Sequence, residues 1–209
     1  MRVTEIFYSL QGEGPSIGLP AIFIRLCGCL EPYCPWCDTA YALDEYCEME
    51  SDAICTAISG FPTRIVVITG GEPFLQWGQG LSALHELLVE KDFEINYETS
   101  GRVLIPDLDN ATVVCSPKYI DGSWRFHWSN IPRIDCFKFV AWDTDSLEAI
   151  DCFIARNTIP PERICIMPLG ATRDEQLLTM ELVFTYCRDR GYRMSTRLHI
   201  LTFDARRGV

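Results

Sequence analysis

Four cysteines fall within eleven positions of this chain: Cys27, Cys29, Cys34 and Cys37, in the run Cys-Gly-Cys-Leu-Glu-Pro-Tyr-Cys-Pro-Trp-Cys-Asp-Thr. Thiolates are soft ligands and select zinc or iron–sulfur clusters among the common biological metals. A structural zinc needs four ligands, usually as two short-spaced pairs. Cys34 and Cys37 make one such pair, and Cys27 and Cys29, one residue apart, make a poor second. The competing reading is an iron–sulfur cluster held by three thiolates with one iron left open for a small chelating ligand. Cys29-x4-Cys34-x2-Cys37 suits it, with Cys27 as an alternative first ligand across a longer gap.

Such a loop must be delivered by regular elements. Thr4 to Leu10 reads as a first strand and Ala21 to Leu26 as a second, which enters the cysteine loop through Arg25, a charge among apolar residues. Ser51 can cap a helix over 52–59. The β-branched run Arg64 to Ile68 reads as a buried strand. Leu81, Leu84, Leu87 and Leu88 predict one helix face over 79–90. Strands follow at Phe93 to Tyr97, Ala111 to Cys115, Cys136 to Val140, Arg163 to Met167 and Arg193 to His199. Helices follow over Asp145 to Arg156 and from a Thr172 cap to Arg190, with Gly191 as the stop. The polar, aromatic segment from Asp121 to Asn130 reads as a loop. Alternating strands and helices predict an α/β fold with a mostly parallel sheet, as one domain over 1–209. Glycine and polar clusters recur where strands end, at Thr69–Glu72, Glu98–Gly101, Ser116–Lys118 and Met167–Gly170, the edge where ligands bind in parallel architectures.

The charge, 18 basic against 29 acidic residues or −11, argues against a surface that grips nucleic acid. No stretch approaches the ~18 consecutive apolar residues of a membrane span. An odd total of eleven cysteines, with no signal-like segment, argues against a disulfide framework and for a cytoplasmic protein. Cys55, Cys115, Cys136, Cys152, Cys165 and Cys187 read as small buried hydrophobes.

The cysteine loop resembles the cluster motif of radical S-adenosylmethionine enzymes, with a first gap one residue longer than the common spacing. Gly28-Cys29 and Trp36 before Cys37 fit that motif. Thr69-Gly70-Gly71-Glu72-Pro73 resembles the segment that, in that superfamily, holds the amino group of the methionyl moiety. The finer resemblance, across nearly the whole chain, is to the 7-carboxy-7-deazaguanine synthase family. Its carriers are Glu5-Ile6-Phe7-Tyr8-Ser9-Leu10-Gln11-Gly12-Glu13-Gly14, Arg25 before the cluster, Cys37-Asp38-Thr39, Glu98-Thr99-Ser100-Gly101 and Ser116-Pro117-Lys118.

That resemblance implies a reduced, partial TIM-like barrel of the radical type. It implies a 4Fe–4S cluster on Cys29, Cys34 and Cys37, and Mg²⁺ beside Thr39. It implies a pterin substrate bound by Leu10, Gln11, Gly12, Glu13, Arg25, Thr69 and the C-terminal Val209. It implies S-adenosylmethionine bound by Gly71, Glu72, Glu98, Ser116, Pro117, Lys118, Met167 and Pro168. The implied reaction is a ring contraction of 6-carboxy-5,6,7,8-tetrahydropterin with loss of ammonia, begun by hydrogen abstraction at C6. A flavodoxin- or ferredoxin-like electron donor and a homodimer are implied as partners. His199 corresponds to a C-terminal histidine of the family, and Lys138 to a strand lysine. Two rivals share part of the pattern: an activating enzyme that places a glycyl radical on a partner protein, and a zinc-binding module without catalysis.

Overall fold

The structure is a computed structural model that describes residues 1–209. An antiparallel hairpin of β1 (Arg2–Leu10) and β2 (Pro20–Leu26) opens it, with β3 (Cys47–Glu48) paired outside β1. Then come α1 (Ser51–Ile58), β4 (Ile65–Gly70), a 3-10 segment over Pro73–Gln79, α2 (Leu81–Glu90), β5 (Glu94–Thr99) and β6 (Ala111–Cys115). A small hairpin, β7 (Lys118–Ile120) and β8 (Ser123–Arg125), precedes β9 (Cys136–Ala141) and α3 (Thr144–Asn157). The chain ends with β10 (Ile164–Pro168), α4 (Arg173–Arg190), β11 (Arg193–Met194) and α5 (Leu198–Phe203). The main sheet has nine strands in the order β11-β10-β9-β6-β5-β4-β2-β1-β3, and every neighbouring pair from β2 to β11 is parallel. No helix is long and apolar enough to cross a membrane.

Side chains alternate across a strand, so each strand feeds two different environments. Ile22, Ile24, Leu26, Val66, Ile68, Ile95, Tyr97, Val113, Phe137, Phe139, Ile164 and Ile166 belong to one large core. That core also takes in Ile54, Leu84, Phe153 and Val183 of the helices. The residues between them, Arg25, Thr69, Glu98, Lys138 and Met167, therefore lie on the other face. There Phe7 stacks on Phe23 at 4.9 Å, beside Ala21 and Val67, as a small apolar layer.

The sheet is curled toward that second face. Glu13, three residues past β1, bonds Lys138 on β9 at 2.6 Å and Arg197 beyond β11 at 2.8 Å. In a flat sheet β9 would stand five strand spacings from β1, about 24 Å at ~4.8 Å each. Three extended residues span only about 10 Å. The strands therefore bend into a partial barrel whose open side is bridged by side chains and by the β1–β2 turn.

Several expectations are corrected. Glu50, not Ser51, occupies the cap position of α1, and the Ser51 hydroxyl donates instead to the Gly80 carbonyl. The last strand stops at Met194, and His199 lies on α5. Beyond Met194 the chain turns to the β1–β2 turn: Gly14 N–H donates to Ser195 Oγ, and Leu198 N–H to the Gly12 carbonyl. Cys152 is exposed on α3 rather than buried. The 121–130 segment contains β8 and half of an aromatic cluster. Trp124, Phe126 and Trp128 pack on Phe153 with ring centroids 4.9, 5.4 and 5.3 Å away. By contrast α4 has the expected ends, a reciprocal Thr172–Glu175 capping box and a left-handed Gly191.

Phe153 is the hub of that cluster and only 2% exposed. Phe153→Ala should cost about 3–5 kcal/mol of stability, read from denaturant unfolding.

Candidate active site

The cysteine loop begins where β2 ends. Cys27 is not available to a ligand: it is buried, and its Sγ donates to the Leu43 carbonyl at 3.3 Å. Cys29 and Cys34 are half-buried and Cys37 is exposed. Burial pushes the thiols of Cys29 and Cys34 up, so without a metal they stay protonated. Thr39 Oγ1 stands 3.7 Å from Cys37 Sγ. No three His, Cys, Asp or Glu side chains form a set that would enclose a single metal ion. The donor set at the loop is three thiols, a soft set that fits an iron–sulfur cluster with one iron unliganded by protein.

The Gly70-Gly71 segment packs directly on this loop. A Cβ on Gly71 would stand 2.0 Å from the Gly28 carbonyl oxygen and 2.9 Å from Cys29 Cβ, so only glycine fits. Gly71 N–H donates to the Leu26 carbonyl and Glu72 N–H to that of Gly28. The Glu72 carboxylate follows in the same segment. It is fully enclosed, and both oxygens accept from inside the chain: Oε1 from Phe74 N–H and Thr99 Oγ1, Oε2 from Ser100 N–H and Oγ. Four donors meet it, so it braces the ends of β4 and β5. Ser100 supplies two of those bonds.

On the inner face, Lys138 Nζ lies 2.6 Å from Glu13 and 2.7 Å from Glu98. Gln11 is buried; its Nε2 donates to Glu98 Oε1 at 3.4 Å, and its Oε1 accepts from Glu13 N–H. Burial works to raise the Glu13 pKa, but Lys138 and Arg197 outweigh it and hold the carboxyl well below its usual range. For Glu98 burial prevails, and its pKa is raised despite Lys138. Arg197 spends every nitrogen: on Glu13, on the Gly170 carbonyl at 2.8 Å, and on Asp38 beside Cys37. His199 backs Gly12, where any Cβ would collide with its ring, and burial lowers its pKa.

Arg25 is 2.7 Å from Glu5 through Nε and lies between the rings of Phe7 and Tyr41. Glu5 is held below its usual range by Arg25, against burial, which alone would raise it. The tail returns to the same place: Arg207 contacts Glu5 and Glu45 and stacks on Tyr41 at 3.6 Å, with Val209 two residues beyond. Ser116 Oγ accepts from Lys118 Nζ at 2.7 Å, and Ser116 N–H donates to the Thr99 carbonyl. Pro117 is buried, as are Met167 and Pro168 in β10. Leu10 is half-exposed at the end of β1.

The structure therefore brings together Gln11, Gly12, Glu13 and Glu98, and separately Gly71 with the cysteine loop and Arg25 with the tail. Sequence reasoning missed Asp38, Arg197 and Arg102. Each is a charged residue whose partner lies far along the chain, and no local pattern signals that.

Lys138 is 5% exposed between two carboxylates that are 17% and 14% exposed. Lys138→Met should cost about 3–5 kcal/mol at neutral pH, because it strands buried charge. In the wild type the depressed Glu13 pKa contributes stability that is full above the unfolded value of about 4.3 and lost as pH falls further. Without Lys138 the carboxylate pKa values rise, so the variant should lose stability as pH increases through their range. Unfolding curves at pH 5 and pH 7 would show the deficit growing with pH.

No protein-family model matches the chain. Individual relatives do. A 7-carboxy-7-deazaguanine synthase of Pyrobaculum aerophilum is 33% identical over 218 residues, covering 100% of this chain and 97% of that protein. The Escherichia coli protein of the same name is 31% identical, covering 94% and 96%. The crystal structure of QueE from Escherichia coli superposes with a TM-score of 0.82 at 30% identity, over 95% of this chain and 94% of that one. The chain belongs to the 7-carboxy-7-deazaguanine synthase family.

Proposed function

We propose that this chain converts 6-carboxy-5,6,7,8-tetrahydropterin to 7-carboxy-7-deazaguanine with loss of ammonia, as one radical S-adenosylmethionine domain over 1–209. The observation that carries the reading is the pairing, on one curled face, of a three-thiol loop with a polar patch of hydrogen-bonding and charged side chains. A 4Fe–4S cluster on Cys29, Cys34 and Cys37, with S-adenosylmethionine on its open iron, would supply the hydrogen-abstracting radical.

The chain's own residues would do the rest. The Gly70-Gly71 backbone approaches the cluster loop closely enough to receive the methionyl end of the cofactor, and the enclosed Glu72 fixes that backbone. Ser116 to Lys118, with the backbone of Met167 and Pro168, would line its nucleoside. Gln11, Gly12 and Glu13 offer amide and carbonyl groups to the donor and acceptor edge of a pterin, and Thr69 a hydroxyl. Arg25 keeps its terminal nitrogens free of other partners, a fork suited to the substrate carboxylate. Thr39 would join that carboxylate on Mg²⁺ through hydroxyl oxygen, a hard ligand for a hard cation. Leu10 and Val209 would close the two sides of the ring. Glu98 is joined to Lys138, so we assign it to holding the polar face rather than to direct contact with the cofactor. A cytoplasmic location, an external flavodoxin- or ferredoxin-like donor and a homodimer complete the reading.

Arg25→Ala should weaken binding of the carboxylated pterin at least tenfold, about 1.4 kcal/mol or more, and leave iron and sulfide content unchanged. Equilibrium binding and metal analysis of the same preparation check this. Unchanged affinity would remove Arg25 from the substrate site. Zinc without iron or sulfide in anaerobically purified protein would end the radical reading and favour the zinc module.

A further inference from the structure

The backbone of Leu30 to Tyr33, which spans the gap between Cys29 and Cys34, is held by one side chain from elsewhere in the fold. Arg102 Nη1 donates to the carbonyls of Leu30 and Pro32 at 2.8 and 3.0 Å, and Nη2 to that of Glu31 at 2.6 Å. No backbone–backbone hydrogen bond reaches those four residues. Glu31, Pro32 and Tyr33 are exposed, so packing does not hold them either. The next internal bond in the loop is Cys37 N–H to the Cys34 carbonyl, past the gap.

Arg102 is itself fixed at its root. Its N–H donates to Ser100 Oγ at 3.4 Å, and Ser100 gives both its N–H and its hydroxyl to the enclosed Glu72. Glu72 N–H in turn bonds Gly28, the residue before the first thiol. A closed circuit results, from Gly28 through Glu72, Ser100 and Arg102 to Leu30, Glu31 and Pro32. A guanidinium presents several donors in one plane, which lets one side chain gather three successive carbonyls; an ammonium has no such fork.

We propose that Arg102 is the positioning residue of the cysteine loop. Its fork folds the four-residue gap so that Cys29 and Cys34 face one cluster, and its charge, bonded to the loop, raises that cluster's reduction potential. This rests on the iron–sulfur reading given above. Arg102 touches neither substrate nor cofactor in this role; it acts through the loop carbonyls.

Wild type, Arg102→Ala and Arg102→Lys would be reconstituted anaerobically with iron and sulfide. Iron and sulfide per chain, the electron paramagnetic resonance spectrum with and without S-adenosylmethionine, and the midpoint potential would be measured, with thermal unfolding of the metal-free proteins as the fold check. Arg102→Ala is expected to lose most of its cluster while its metal-free form melts as wild type does. The cluster that remains should have a lower potential and a broadened spectrum. Arg102→Lys, which keeps charge without the fork, should fall between them in content and lie close to wild type in potential. If Arg102→Ala does not fold, the lysine variant alone decides on content and spectrum. Wild-type content, spectrum and potential in both variants would overturn the proposal while leaving the cluster reading intact. A wild type that takes up zinc and no iron would overturn both.

Discussion

A lysine held between two carboxylates on the inner face of a curled sheet governs the rest of this structure. Lys138 sits on β9, Glu98 on β5 and Glu13 beyond β1, and their ion pairs close distances that a flat sheet would leave open. Charge taken out of water must be paired, and the pairing here acts across the barrel rather than along it. Arg197 extends the same network from Glu13 to Asp38, which stands next to Cys37. The soft-ligand loop and the polar patch are thereby held on one electrostatic framework.

The second structural unit is made of strand ends. The cysteine loop follows β2, and the Gly-Gly-Glu-Pro and Glu-Thr-Ser-Gly segments run across the ends of β4 and β5, neighbours in the sheet. Glu72 is their meeting point, because its oxygens gather the Thr99 and Ser100 donors while its N–H is tied to Gly28. So enclosed, the carboxylate acts as a brace, since removing it would strand four donors. The segment that resembles a ligand-binding motif thus owes its shape to internal bonds and offers its backbone outward.

Much of this was legible in the sequence because its signals are local. The β-branched run of β4, the Thr172 and Gly191 ends of α4 and the spacing of Cys29, Cys34 and Cys37 each declare themselves within a few residues. The inner-face positions of Arg25, Thr69, Glu98 and Lys138 follow from alternation once the strands are placed. What could not be read depends on distant partners. Arg197 and Asp38 are 159 residues apart, and Arg102 acts on a loop some seventy residues earlier. The residues after Met194 resembled a strand, but their hydrogen bonds go to the β1–β2 turn, and His199 became helical to back Gly12. The aromatic 121–130 segment looked like a loop because its value lies in packing against Phe153.

In the function proposed for it, this face carries out a ring contraction on a carboxylated pterin. The most direct measurement is anaerobic incubation of cluster-loaded protein with reductant, S-adenosylmethionine, Mg²⁺ and 6-carboxy-5,6,7,8-tetrahydropterin, followed by product mass. 7-Carboxy-7-deazaguanine and released ammonia are expected in equal amounts. Cluster-loaded protein that consumes no pterin, or forms no deazaguanine, would contradict that function.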